Sequence, residues 1–195
     1  MGHWVLAWIV TAAGATGPLK VVMKADTEVR SMLQSGVASV DKLAMVADVY
    51  IDFSELARRA MGRDWASLSA AQRTEFSQTM KALLRASYAQ KALADGRGDA
   101  KIEYGDEKID GDEAEIRTTL VTPEDRFPVV YRLYRSSPKA SWRIYDVITD
   151  DVSLVATYND QFRQVIAKKG FAGLLKSLKA KSEQIRQETG REPSM

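Results

Sequence analysis

The sequence predicts an α+β fold in which helices come first, an antiparallel sheet of about four strands follows, and helices end the chain. Two observations predict it. Apolar residues recur every three or four positions up to Tyr88 and again from Leu154, as in helices. Between these regions, short segments alternate apolar and polar residues or are rich in Val and Tyr, and polar links separate them. Such a meander forms a twisted sheet, with helices covering one of its faces.

Two helices are predicted between Lys24 and Tyr50. Gly36 separates them, because glycine commonly ends a helix. The apolar positions that define their buried faces are Val29, Met32, Leu33, Val40, Leu43, Ala44, Val46 and Ala47.

Capping signals mark the next two helices. Asp52 can accept hydrogen bonds from exposed backbone N–H groups, so a helix begins there and runs to Met61. Gly62 suits the left-handed backbone that ends many helices. Ser69 and Gln72 have the spacing of a capping box, which starts a long helix. Turn-forming residues 95–99 end this helix, and its apolar face consists of Phe76, Met80, Leu83, Leu84 and Tyr88.

Four strands follow, and then two helices. The predicted strands are Lys101 to Tyr104, Ala114 to Leu120, Phe127 to Arg135, and Trp142 to Ile148. The short polar links that suit hairpins are Gly105 to Asp112, Thr122 to Arg126, and Ser136 to Ala140. Gly170 separates the last two helices, whose apolar stripes are Leu154, Val155, Tyr158, Phe162, Val165 and Ile166, and then Phe171, Leu174, Leu175 and Leu178.

The first residues predict a secretory signal peptide over residues 1–15, followed by one domain over residues 16–195. Trp4 to Val10 is an apolar run too short to span a bilayer, which needs about 20 residues. Ala13-Gly14-Ala15 fits an A-x-A cleavage site, although only His3 precedes the run where positive residues are expected. The alternative is an ordinary N-terminal helix or strand.

Composition excludes several classes of function. The 195 residues include no cysteine and one histidine, so the chain offers no disulfide, thiolate nucleophile or Cys-type zinc site. The formal charge of +2 comes from 28 Lys+Arg against 26 Asp+Glu, which is too even for a nucleic-acid-binding face. We expect no catalytic residue, no metal, no cofactor and no nucleic-acid partner.

Carboxylates are the remaining side chains that could carry out chemistry. Asp146, Asp150 and Asp151 cluster where the last strand meets the following helix, and they could supply a general base or a hard-metal site. The structural alternative, which we favour, is that Asp150 or Asp151 caps that helix and Asp146 makes a buried hydrogen bond.

Two blocks of sequence follow the pattern of a known family in order and spacing. The first consists of residues 52–62 (DFSELARRAMG), Trp65, Gln72-Arg73 and Phe76. The second consists of residues 142–147 (WRIYDV), Val152-Ser153-Leu154, Tyr158, Phe162, Gly170 and residues 174–178. Together they resemble the MlaC-like toluene-tolerance family, auxiliary proteins of a phospholipid ABC transport system, over residues 25–180. One departure is Asp151, which stands where that family usually has glycine.

The resemblance implies a curved sheet and surrounding helices that enclose a deep apolar pocket, in a nuclear-transport-factor-2-like architecture. It also implies a periplasmic carrier that passes phospholipid between an outer-membrane lipoprotein complex and an inner-membrane ABC complex. We expect this carrier to act as a monomer. Burying an acyl chain gains about 0.8 kcal/mol per CH₂, so the role needs an apolar cavity and no catalytic residue.

Apolar positions in and near the matched blocks are the candidate lipid-lining residues, although each would serve equally well in a packed core. They are Phe53, Leu56, Met61, Phe76, Met80, Leu84, Tyr88, Trp142, Val147, Val152, Tyr158 and Phe162. The cations that could meet an anionic headgroup or a partner, or simply be solvated, are Arg58, Arg59, Arg143, Lys168 and Lys169.

Three other functions remain open from the sequence. The same fold could carry a hopanoid, a polyisoprenoid or another apolar lipid, because the apolar walls of a pocket discriminate poorly among apolar ligands. A small α+β enzyme could use Asp146 or Asp150 as its base. An adaptor that only docks proteins would have a filled core without a cavity.

Overall fold

A computed structural model describes residues 17–95 and 100–189. The predicted signal peptide over residues 1–15 lies outside the described residues, as do positions 96–99 of the predicted turn. The described elements are α1 (Pro18–Gln34), α2 (Val40–Tyr50), α3 (Phe53–Met61), a 3₁₀ helix (Gly62–Ser67), α4 (Ala70–Asp95), β1 (Lys101–Asp110), β2 (Glu113–Val121), β3 (Arg126–Tyr134), β4 (Arg143–Thr149), β5 (Val152–Ser153) and α5 (Leu154–Thr189). The α+β prediction is confirmed.

Side-chain caps begin α3 and α4 where the sequence predicts them. Asp52 Oδ1 accepts hydrogen bonds from the backbone N–H groups of Ser54 at 3.0 Å and Glu55 at 2.9 Å. The capping box before α4 is reciprocal. The Gln72 N–H donates to Ser69 Oγ at 3.2 Å, and the Ser69 N–H donates to Gln72 Oε1 at 2.9 Å. Local sequence is therefore sufficient to fix both helix starts.

Two glycines end or divide helices as predicted. Gly62 has a φ of 58°, and a Cβ atom there would lie 2.6 Å from Asn159 Nδ2. That nitrogen donates to the Ala60 carbonyl at 2.9 Å, so a larger residue at position 62 would strain the backbone and displace this contact. Gly170, with φ 66° and ψ 178°, divides α5 into two helical segments.

The five strands form one antiparallel sheet in the order β1-β2-β3-β4-β5. The predicted meander is confirmed, but the predicted end of the first strand at Tyr104 is wrong. After a register shift near Gly105, residues 107–110 continue β1 and pair with residues 113–116. The polar composition of residues 105–110 indicated a link, but it reflects exposure to solvent. This half of an edge strand is exposed to solvent, so it needs no apolar alternation.

The short strand β5 was not predicted, and it corrects the proposed helix cap. Asp150 and Asp151 have φ values of 50° and 60° and form the tight turn between β4 and β5. Two-residue hairpin turns of this kind require positive φ, which Asp tolerates better than most residues. Ser153 caps α5 instead, because its Oγ accepts a hydrogen bond from the Ala156 N–H at 3.0 Å. Asp151 thus adopts a positive φ, a backbone conformation that glycine favours.

Two hydrophobic clusters hold the layers together. One joins α3, α4 and α5 around Phe76, whose ring packs edge-on against Phe162 with centroids 5.5 Å apart. The other joins α1 and α2 to one face of the sheet and includes the buried side chains of Ile116, Leu133 and Trp142. Of the helices described, none combines the length and hydropathy needed to cross a bilayer.

A carboxylate on α3 predicts how stability depends on pH. Glu55 Oε2 accepts from Arg58 Nε, and Oε1 accepts from Arg59 Nε, each at 2.7 Å. The Arg58 bond, aided by Arg59, lowers the pKa of Glu55 below its ordinary 4.5 although burial opposes this. A lowered folded-state pKa gives stability that is present above pH 4.5 and is lost as pH falls through that pKa.

We therefore expect Glu55→Gln to lower the free energy of unfolding by about 1 kcal/mol at neutral pH, since the ion pairs are partly exposed. Urea unfolding of both proteins in buffers of decreasing pH measures this. The difference between them should shrink below pH 4.5. A difference that stayed constant across the series would contradict the assignment.

Candidate functional site

An apolar cavity of about 290 Å³ lies between α1, α2, α4 and the facing side of the sheet. Branched and aromatic side chains from every one of these elements line it, among them Val22, Leu43, Leu84 and Ile144. Small side chains keep it open, because larger ones would fill the space. These are Ala25 on α1, Ala44 and Ala47 on α2, and Ala89 on α4.

Tyrosine hydroxyls in and near the cavity wall hold α1 in place without adding charge. Tyr104 donates to Asp26 Oδ2 at 2.6 Å, and Tyr50 donates to Glu28 Oε1 at 2.5 Å. Burial, followed by the bond to Glu28, raises the pKa of Tyr50 to about 12. Burial and the nearby Asp26 carboxylate raise the pKa of Tyr131 to about 12 as well. These phenols therefore stay neutral at physiological pH.

Charged side chains gather beside the cavity, where α2 packs against α4. Lys81 Nζ lies 3.2 Å from Asp48 Oδ1, and Arg85 Nε lies 3.6 Å from the same oxygen. Arg85 lines the cavity, as does Tyr88 one turn further along α4. Tyr88 is 47% exposed, so the cavity reaches solvent on this side. The site thus combines an apolar interior with a charged rim.

The structure places the candidate lipid-lining residues in three environments. Phe53, Leu84, Tyr88 and Val147 line the cavity. Trp142 is buried in the cluster of α1, α2 and the sheet, and Val152 is 58% exposed on β5. The remaining candidates lie in or against the cluster of α3, α4 and α5, and they are Leu56, Met61, Phe76, Met80, Tyr158 and Phe162. A lipid-contacting role for any of the twelve stays a prediction.

Three of the predicted cations have structural partners. Arg58 and Arg59 both bind Glu55, and the Arg59 guanidinium also lies 3.6 Å from the centroid of the Tyr145 ring. Arg143 Nη2 donates to the backbone carbonyls of Asp48 and Ile51, at 2.8 Å each, and so caps the C-terminus of α2. Lys168 and Lys169 are exposed.

Asp146 makes the buried hydrogen bonds that its structural interpretation predicts. It is 1% exposed, and its carboxylate accepts from Ser153 Oγ at 2.7 Å and from the Val155 N–H at 3.0 Å. Arg132 Nη1 lies 3.6 Å away and balances its charge. Over residues 17–95 and 100–189, no group of three or more His, Cys, Asp or Glu side chains could hold a metal ion.

Helices pack over an antiparallel sheet, and an apolar cavity lies between the two layers. The chain is therefore an α+β protein with an internal apolar cavity. Residues 22–180 match the family model described as MlaC protein. The match spans most of the sequence, and the chain is a member of the MlaC family.

Two known proteins are similar to this chain, one in sequence and one in structure. The intermembrane phospholipid transport system binding protein MlaC of Haemophilus influenzae is 21% identical over 137 residues. That match covers 69% of this chain and 64% of the relative, so the chain spans less than two thirds of the relative's length. The phospholipid-binding protein from Ralstonia solanacearum, solved in complex with a phospholipid, superposes with a TM-score of 0.76 at 25% identity. The superposition covers 88% of this chain and 99% of the Ralstonia solanacearum chain.

Sequence reasoning missed most of the cavity wall that α1 and α2 supply. The candidates came from positions in and near the matched blocks, which begin at Asp52, whereas Val22, Ala25 and Val29 stand before them. A signal was available in their spacing of three and four residues, which places them on one helical face. Arg85 carried no such signal, because a single cation on a helix is usually a solvated residue.

Proposed function

We propose that this protein is a periplasmic phospholipid-binding carrier of an Mla-type ABC transport system. The apolar cavity between the helices and the sheet is the observation that carries the proposal. Membership of the MlaC family and the names of the two relatives support phospholipid as the cargo, over a hopanoid or a polyisoprenoid. The proposed partners are an inner-membrane ABC complex and an outer-membrane lipoprotein complex. An adaptor that only docks proteins would have a filled core, so the cavity favours the carrier over the adaptor.

The size of the cavity sets how a phospholipid could occupy it. A 150 Å³ engineered cavity binds benzene, so about 290 Å³ accommodates roughly a dozen carbon atoms. This is part of one acyl chain. At about 0.8 kcal/mol per CH₂, even that part contributes several kcal/mol of affinity. A complete diacyl lipid is larger than this volume.

A vesicle assay tests the proposal. The protein is incubated with phosphatidylethanolamine vesicles that contain a labelled phospholipid, and it is then separated from them by gel filtration. We expect labelled lipid to elute with the protein and to pass to acceptor vesicles on further incubation. Lipid that remains entirely with the vesicles, while the protein stays folded, would refute the carrier.

The rival enzyme makes a different prediction for the double variant Asp146→Asn, Asp150→Asn. Loss of the Asp146 charge weakens two buried hydrogen bonds, and we expect a loss of about 1–3 kcal/mol in stability with lipid binding retained. Asp150 is exposed in a turn that Asn also tolerates. Urea unfolding and the vesicle assay measure the two effects. A chemical turnover of phospholipid by the parent protein that disappears in the double variant would favour the enzyme.

A further inference from the structure

The charges of the three side chains at the cavity rim, Lys81, Arg85 and Asp48, do not cancel. Lys81 and Arg85 stand one turn apart on α4, and both approach the same oxygen of Asp48. Like charges four residues apart destabilise a helix. One carboxylate for two cations leaves a net positive charge beside the cavity. The carboxylate on the opposite wall does not cancel it, since Asp26 is already paired with Arg30 and Tyr104.

Two polar atoms of this group are held by ion pairs only and form no hydrogen bond. Asp48 Oδ1 and Arg85 Nε are buried, and neither has a hydrogen-bond partner among the residues that the structure describes. Nearly all buried polar groups in folded proteins are bonded, because an unmade bond costs about 1–3 kcal/mol. Asp48 stands in the last turn of α2, where the helix dipole disfavours a carboxylate, and Arg143 caps that end. Arg85 Nε therefore has capacity for an acceptor from outside the chain.

The position of Arg85 identifies that acceptor. Its side chain lines the apolar cavity and is 34% exposed, next to the solvent-facing Tyr88. A lipid with its acyl chain in the cavity leaves its polar end on this open side. The planar fork of a guanidinium matches the oxygens of a phosphate group, and an ammonium adds a point charge.

We propose that Arg85, assisted by Lys81, binds the phosphate of the bound lipid, and that Asp48 is the counter-ion that holds both cations when the cavity is empty. The proposal rests on the carrier function above and assigns its headgroup contact. It makes the phosphate a determinant of cargo selection, in addition to the apolar chains.

The test compares two lipids with identical acyl chains, phosphatidylglycerol and diacylglycerol, in the gel-filtration assay. The parent protein should retain phosphatidylglycerol in preference to diacylglycerol. Arg85→Gln should reduce that preference about tenfold, because one charge-assisted hydrogen bond to the phosphate is lost. Arg85→Lys should restore part of it. Asp48→Asn should strengthen phosphatidylglycerol binding, because it removes the competing carboxylate. Arg163→Gln, an exposed arginine on α5, is the matched control and should change nothing.

Each outcome has a distinct meaning. Equal retention of both lipids by the parent protein and by Arg85→Gln would overturn the headgroup contact and leave the carrier intact. Retention of neither lipid by the folded parent protein would overturn the carrier itself. Inorganic phosphate alone should compete at least about tenfold more weakly than the lipid, since it lacks the apolar contribution. Equal competition would assign the cations to free phosphate and overturn the proposal. Thermal melting of each variant verifies that it is folded.

Discussion

Ala47→Trp should abolish phospholipid binding and leave the protein folded. Ala47 lies on α2, lines the cavity and is only partly buried. An indole ring at this position can enter the empty space, so it competes directly with an acyl chain. Overpacking a filled core costs about 1–3 kcal/mol, but here the cavity absorbs most of the added volume. We expect bound lipid to fall to background in the gel-filtration assay, with a small change in melting temperature.

A matched variant separates loss of the cavity from the effect of a tryptophan as such. Ala167→Trp makes the same change on an exposed part of α5, away from the cavity, and it should bind lipid like the parent protein. If Ala47→Trp retained lipid to the same extent as Ala167→Trp, the cavity between the helices and the sheet would not be the binding site.

Phe76→Ala should have the largest effect on stability. Phe76 is fully buried, and its ring contacts those of Phe162, Trp65 and Phe171 at centroid distances of 5.5, 6.5 and 6.2 Å. Truncation of such a side chain costs about 3–5 kcal/mol, because the apolar contacts are lost and a void remains. Urea unfolding measures this change. Met45→Ala, at a position that is 64% exposed, should cost less than about 0.5 kcal/mol.

The same variant tests where the lipid does not bind. Phe76 packs between α4 and α5, outside the cavity wall, so lipid binding should decline only as far as the folded fraction declines. Loss of lipid binding with an unchanged free energy of unfolding would place Phe76 in the ligand site and contradict its assignment to the core.

The end of α3, the start of α4 and the break in α5 could be predicted from the sequence because their causes are local. The Ser69–Gln72 capping box and the glycines at 62 and 170 depend on residues within one turn. The second half of β1 could not be predicted, because its pairing with β2 fixes it and its own composition does not. The two-residue strand β5 depends in the same way on the turn at Asp150 and Asp151.

The candidate site could be predicted only in part, for a physical reason. A cavity is a property of packing between elements, and one apolar stripe looks the same whether it fills a core or lines a void. Phe76 and Leu84 follow the same helical face of α4, yet Leu84 lines the cavity and Phe76 does not. The shared approach of Arg85 and Lys81 to Asp48 depends on the packing of α2 against α4, so the sequence alone could not show it.

Intact-mass measurement of the protein under native conditions, after exposure to phospholipid vesicles, tests the central claim most directly. We predict a folded species whose mass exceeds that of the polypeptide by one phospholipid, and the excess should disappear when the protein is denatured and the lipid is released. A folded protein with the mass of the bare polypeptide would contradict the account.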